Sequence, residues 1–408
     1  MTTLAPRRVL GQRGRVIILA GLAITLTAVN LRTAVTGFTP LLEIIGADVG
    51  FGVAVAGLLG AIPAASFAVF GFLAPVVTRR FGLERTVTVA LALTAISLLL
   101  RALALNPLVL VLSTLLALAG VGAANVVIVP LVKVWFPQRI ALWTSLYLIF
   151  MQTGQFLAPL IAVPVAEATH WRVSVGVWVV PAAAAALVWF IVAARRPASP
   201  SPAPAPVPSS AQEVTVTPSI SRSLTVWGLV VLFAMLSVSN YGIVTWLPAM
   251  LTDAGASAAL GGTMVALYSA WGVAAAFVVP SLATRMANPF IIVVICAVLL
   301  VIGYVGLLLS PLAGTLVWVC ALGIGVSTFP LCMTLINRRT ETAQAASAVS
   351  GFVQGIGYGL ACFAPFGLGL LREATGSWSI PLIVLAATTI PGLIGGWFAC
   401  RPRRIAQL

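Results

Sequence analysis

The chain has 408 residues, of which 61% are hydrophobic and only 7% charged, with 22 Lys and Arg against 8 Asp and Glu. A soluble domain charges about a quarter of its residues, so a water-soluble enzyme or binding module is excluded and the surface must face lipid. The formal charge of +14 does not make a nucleic-acid binder: the basic residues stand in ones to fours at the ends of apolar runs, as membrane topology signals do.

Twelve apolar runs follow one another, over 15–43, 53–77, 86–105, 108–132, 140–164, 173–194, 224–250, 261–283, 290–309, 312–336, 345–370 and 379–400. Each is long enough to cross a bilayer as a helix. Barrel strands would alternate over ~10 residues, and only closed helices satisfy the backbone in runs this apolar. The first run opens with "RRVLGQRGRVIILAGLAITLTAV", which has the basic flank and apolar core of a secretory signal. No small-residue cleavage site follows, so it reads as a retained first helix. Turn signals at Asn106-Pro107, Asn288-Pro289 and Ser310-Pro311 punctuate the short connections.

One connection differs. "RRPASPSPAPAPVPSSAQEVTVTPSISR", rich in Pro, Ser and Ala, reads as an extended linker between two six-helix halves. The expected organisation is a tail at 1–14, a first bundle at 15–194, a linker at 195–223, a second bundle at 224–400 and a tail at 401–408. The fold class is an all-α membrane protein, with twelve transmembrane helices in two pseudo-symmetric six-helix bundles. The halves repeat: "APLIAVPVAEAT" and "APFGLGLLREAT" place Pro159 and Pro365 eight residues before Glu167 and Glu373, an offset of 206. Counted by side, eighteen basic residues flank the ends that share the side of the termini. Only Arg101, Arg172 and Arg372 fall on the other. That asymmetry puts both termini in the cytoplasm.

Arg32 is the residue that composition does not explain. It stands with Asn30 in "AVNLRTAVTGFTP", about 24 Å along a helix begun at Val16. Arginine at the middle of a span costs about 2.5–3.5 kcal/mol on insertion scales. All eight acidic residues lie at span ends or in loops, and Glu43, the nearest on the same helix, is about 16 Å away along the axis. No protein counter-ion is therefore expected. Three roles stay open: binding a substrate anion through the bidentate guanidinium fork, a structural role on backbone carbonyls or polar neighbours, and snorkelling to the surface. In the fifth run Tyr147, Met151 and Gln155 share a helical face beside Gln152, and in the eleventh Gln354, Tyr358 and Cys362 do the same. Interhelical hydrogen bonding is the ordinary reading of such residues. Gly351, Gly355 and Gly359 form a small-residue stripe suited to close packing and to sliding.

The five cysteines form no C-x-x-C pair and read as small hydrophobes in helices. His170 is the only histidine, so no metal site is expected, and no cofactor either. There is no Walker motif, G-x-S-x-G or H-E-x-x-H, so neither primary pumping nor catalysis is expected.

The organisation resembles the major facilitator superfamily. The turn "GFLAPVVTRRFGLER" is similar to that superfamily's G-x-L…R-x-G-x-x-R signature through Gly71, Leu73, Arg79, Gly82 and Arg85, and departs from it with Pro75 where aspartate is usual. The blocks "NLRTAVTGFTPLL", "NVVIVPLVKVWFPQR", "SNYGIVTWLPAML", "FPLCMTLINRR" and "SGFVQGIGYGLACFAPFGLGLLREATGSW" are similar to the cyanate transporter / nitroimidazole transporter branch. The resemblance implies alternating access in a bacterial cytoplasmic membrane. It also implies that the first, fourth, seventh and tenth helices line the cavity. Carried onto this chain, these offer Asn30, Arg32 and Thr36; Asn125; Asn240, Tyr241 and Trp246; and Ser327 and Thr328. Arg32 and Asn240, each eight residues before the proline of its span, are expected to face each other. Tyr147, Gln152, Gln155, Gln354 and Tyr358 complete the expected substrate site, with Gly71, Arg79, Gly82, Arg85, Gly351, Gly355 and Gly359 as conformational positions. The expected partners are the lipid bilayer and a small-molecule substrate, with coupling to protons or a counter-anion left open, in a monomer. The expected cargo is a small anion bound by Arg32; the alternative is export of a small neutral compound such as a nitroimidazole, with Arg32 structural.

Overall fold

A computed structural model describes residues 6–195, 223–340 and 343–401. The interior of the linker and the outermost parts of both tails lie outside these residues, and the surroundings of Gly71 and Arg79 lie outside the description as well. Among the described residues every regular element is helical, and twelve spans are long and apolar enough to cross a membrane. In order they are Arg15–Val49, Val53–Phe70, Leu83–Ala102, Pro107–Trp135, Leu142–Ala168, Trp171–Arg195, Leu224–Asp253, Ala258–Arg285, Phe290–Leu309, Thr315–Arg339, Ala348–Thr375 and Ser379–Cys400.

The spans begin where their sequence says they should. Asn106 accepts a hydrogen bond from the Val109 amide and Pro107 occupies the first turn; Ser257 accepts from Leu260 in the same way. Both arrangements satisfy amides that a helix start leaves unpaired. The second helix continues to Phe81 and turns into the third at Gly82, whose φ of 81° favours glycine. Large apolar side chains such as Leu105, Leu309 and Phe190 are exposed, as lipid-facing surface should be.

Several spans are broken. The first helix stops at Thr36, passes through a tight turn at Thr39–Leu41 and resumes over Leu42–Val49. The tenth breaks between Gly325 and Thr328, the eleventh at Cys362 and the twelfth at Thr388. In helical proteins of the membrane such breaks are tolerated where neighbouring groups satisfy the freed backbone. At the tenth the Cys296 thiol lies 3.7 Å from the Ile324 carbonyl. At the first, Arg101 fills that role.

The first six spans pack into one bundle and the last six into another. Between the bundles the second span lies on the eleventh and the fifth on the eighth, the pairing a twofold relation between halves requires. The seam is tight on the side away from the termini. A Cβ on Gly57 would meet the Pro365 carbonyl at 2.9 Å and the Phe366 backbone at 3.0 Å, and one on Gly262 would meet the Pro159 carbonyl at 2.7 Å. The Thr252 hydroxyl donates to Glu43 at 2.7 Å across the same seam. On the terminus side Gly351 and Gly359 of the eleventh span face open space. Gly357 of the same span packs closely against Phe233, and Gly369 against Trp246.

Each bundle carries a matching cluster at its outer end. Asp48, closing the first span, takes hydrogen bonds from Trp171 Nε1 at 2.8 Å and Arg172 at 2.6 Å. Asp253, closing the seventh, takes them from Trp378 Nε1 at 2.8 Å and Arg372 at 2.8 Å. The two tryptophans, whose positions at span ends suggest interface anchors, are thus tied to carboxylates.

Candidate functional site

Arg32 stands seventeen residues from Arg15 and seventeen from Val49, at the midpoint of the first span. Among the described residues it has no ion pair: Glu43 is engaged by Thr252, Asp48 by Arg172 and Asp253 by Arg372. Its Nε is buried without a hydrogen-bond partner, yet the residue as a whole is only half-buried. The helix that carries it ends four residues on, at Thr36, and the guanidinium turns toward Phe67 of the second span.

What surrounds Arg32 is aromatic. Its guanidinium carbon lies 5.4 Å from the centre of the Phe67 ring, on the second span. The Tyr358 ring is 6.1 Å from that of Phe67 and 6.2 Å from that of Tyr241. Both tyrosine hydroxyls are close enough to the guanidinium to feel its charge. Four spans from both bundles therefore converge here: the first, second, seventh and eleventh. A cation over a ring face is worth about 0.5–2 kcal/mol. That is less than the ~2.5–3.5 kcal/mol an arginine costs in the middle of a span, so the rings alone do not offset the charge.

The other expected site residues divide into two groups. Asn125, Tyr147, Gln152, Gln155, Asn240 and Gln354 are half-buried, like Arg32 and Tyr358. Gln152 reaches from the fifth span toward Gly272 of the eighth, and Gln354 donates to Ser350 at 2.7 Å. Asn30, Thr36, Trp246, Ser327 and Thr328 are buried. The Asn30 amide donates to the Leu26 carbonyl at 2.8 Å and the Thr36 hydroxyl to the Arg32 carbonyl at 3.2 Å, each within its own helix. Trp246 donates to the Pro365 carbonyl at 2.8 Å and lies 5.3 Å from the Trp378 ring, in the closed outer seam. Thr328 lines a small cavity inside the second bundle. On the seventh span Asn240 accepts from Tyr268 at 3.2 Å, and the next residue, Tyr241, stands beside Arg32. Of the expected conformational positions, Gly82 shapes its turn and Arg85 is exposed.

Sequence reasoning missed two residues here. Phe67 is one ring in an apolar run, indistinguishable there from lipid-facing or core phenylalanine. Arg101, at the end of the third span, reads as a topology signal but is 1% exposed. It donates to the Ala34 carbonyl at 3.0 Å and lies 4.4 Å from the centre of the Phe38 ring.

Comparison with known proteins now adds to this geometry. The model of the Major Facilitator Superfamily matches residues 22–362. The chain is 32% identical to the uncharacterized transporter YycB of Bacillus subtilis (strain 168), over 93% of each chain. It is 30% identical to the 2-nitroimidazole transporter of Escherichia coli (strain K12), over 97% of this chain and 98% of that one. It is 28% identical to the cyanate transport protein CynX of the same strain, over 88% and 91%. Among solved structures, a D-xylose-proton symporter superposes with a TM-score of 0.74 at 14% identity, covering 95% of this chain and 97% of that one. That likeness concerns the fold.

Proposed function

We infer the cargo from one premise: this chain belongs to the Major Facilitator Superfamily. It is a multi-pass membrane transporter and not an enzyme. It moves a small anionic solute, either a flat inorganic anion of the cyanate kind or a small carboxylate, by rocking the two bundles about the level of Arg32. The observation that carries this reading is the half-exposed, mid-span Arg32 with no carboxylate partner among the described residues. A planar guanidinium suits a delocalised anion through paired N–H donors. Tyr241 and Tyr358 supply hydroxyls from the opposite bundle, so anion binding would draw the halves together across the site.

The distribution of charge supports an orientation with both termini in the cytoplasm, in a bacterial inner membrane. Of the three basic residues on the outer side, Arg172 and Arg372 are paired with aspartates and Arg101 is buried. The excess of positive charge in the sequence is therefore on the terminus side. The chain works as a monomer, the drive being a proton, a counter-anion or the solute gradient itself.

A second reading has its own support. The rings of Phe67 and Tyr358 flank the site, and a flat neutral heteroaromatic could stack there, as the 30% identity to a 2-nitroimidazole transporter invites. In that case Arg32 holds structure. Thermal unfolding of the purified chain with cyanate, 4-hydroxybenzoate and 2-nitroimidazole, repeated on Arg32→Gln, separates the two. Anion stabilisation that vanishes in the variant supports the first reading. Stabilisation by the neutral compound alone, unchanged in the variant, supports the second.

A further inference from the structure

Among the described residues Arg101 is a second arginine without a counter-ion, and it is more deeply buried than Arg32. Among the described residues its hydrogen bond is a single one, to the Ala34 carbonyl, and its Nε has no partner. The bond makes local sense. Ala34 lies in the last turn of the first helix, where carbonyls are left over and a positive charge is favoured. A lysine would do as much. The guanidinium brings five donors, and one carbonyl with one ring face leaves most of them idle in a place where an unpaired charge is costly.

The position of Arg101 suggests what the rest is for. It lines a small cavity together with Phe38, Thr39, Thr114, Tyr241 and Thr245. The Thr39 hydroxyl in that cavity is likewise buried without a partner. Tyr241 and Thr245 belong to the seventh span and the others to the first bundle, so the cavity sits on the seam between the halves. Tyr241 also stands beside Arg32, which makes it common to both arginines. On the outer side the bundles meet in the Thr252–Glu43 hydrogen bond and in the contacts at Gly57 and Gly60, next to a larger cavity of about 340 Å³ that shares Thr39 and Thr245 with this one. Tyr241 and Thr245 lie on the opposite bundle from Arg101, so parting the bundles on that side would open the cavity outward.

We propose that Arg101, with Thr39 and Tyr241, forms a second anion-binding station, collapsed in this conformation and exposed when the outer side opens. An anion exchanged with the outside meets Arg101 and passes Tyr241 on its way between the surface and Arg32. This rests on the anionic cargo proposed above, and the test below separates the two claims.

The test uses the full chain in proteoliposomes, with phenylglyoxal as arginine reagent and site-resolved mass spectrometry as readout. The anion is whichever of cyanate and 4-hydroxybenzoate stabilises the wild type. The station predicts that Arg101 is modified without anion and that saturating anion slows its modification about tenfold, while exposed Arg85 reacts alike in both conditions. It also predicts that Arg101→Lys, which keeps the charge and the bond to Ala34 but loses the fork, raises the half-saturating anion concentration at least threefold. The proposal is overturned if Arg101 stays unmodified while Arg85 reacts. It is equally overturned if its labelling ignores the anion, or if Arg101→Lys binds anion as the wild type does. If neither anion stabilises the wild type, or Arg32→Gln is stabilised as well as the wild type, the parent reading fails instead.

Discussion

The guanidinium of Arg32 and the ring of Phe67 stand 5.4 Å apart, joining the first and second spans at mid-membrane, with Tyr358 of the other bundle against the same ring. Among the described residues that cation is met by ring faces and hydroxyls, and by no carboxylate.

Tyr241 contributes a hydroxyl near that charge and little else polar. Tyr241→Phe keeps the ring packing against Tyr358 but removes the donor. A hydrogen bond to a charged group is worth about 1.5–3 kcal/mol. The half-saturating anion concentration should therefore rise about tenfold or more, with thermal stability in the absence of anion little changed. Titration of the melting temperature with anion measures both.

The outer seam depends on glycine where backbones touch. A side chain at Gly57 would press on the Pro365 carbonyl and the Phe366 backbone, neither of which is the end of a flexible chain. Gly57→Val should shift the population toward an outward-open arrangement. A cysteine placed at Thr245 should then react with a membrane-impermeant maleimide several times faster than in the Gly57 background, and the effect should be absent for a Val at Gly351, which faces open space.

The two outer clusters predict a matched pair of stability losses. Asp48→Asn and Asp253→Asn each remove the charge that accepts from one tryptophan and one arginine. The ion pairs are partly exposed, so each loss should be small and should shrink as salt rises. Thermal unfolding at two ionic strengths reads this out. Anion affinity should change little, since neither cluster touches Arg32.

Much of the fold was legible because lipid imposes a strong code: twenty apolar residues between basic ends can be little else. Arg32 was legible for the same reason, as an exception that the code makes expensive. The interruptions were not. The breaks at Cys362 and Thr388 lie inside long hydrophobic runs, so hydropathy runs straight across them. Phe67 was invisible because its ring looks the same facing lipid or facing Arg32. Arg101 was misread because a charge at the end of a run has two destinations, water or the bundle interior, and only packing against Ala34 and Phe38 decides between them. Asn240 and Tyr241 differ by one position, about 100° of helix turn, which a proline-to-proline alignment of the halves cannot resolve.

The central claim is that the charge on Arg32 is held for an anion. The most direct measurement is the thermal shift of the purified chain on adding cyanate or 4-hydroxybenzoate, compared between wild type, Arg32→Lys and Arg32→Gln. The account predicts stabilisation of the wild type by at least one of these anions, a weaker response in the lysine variant and none in the glutamine variant. An equal anion response in all three proteins would contradict it.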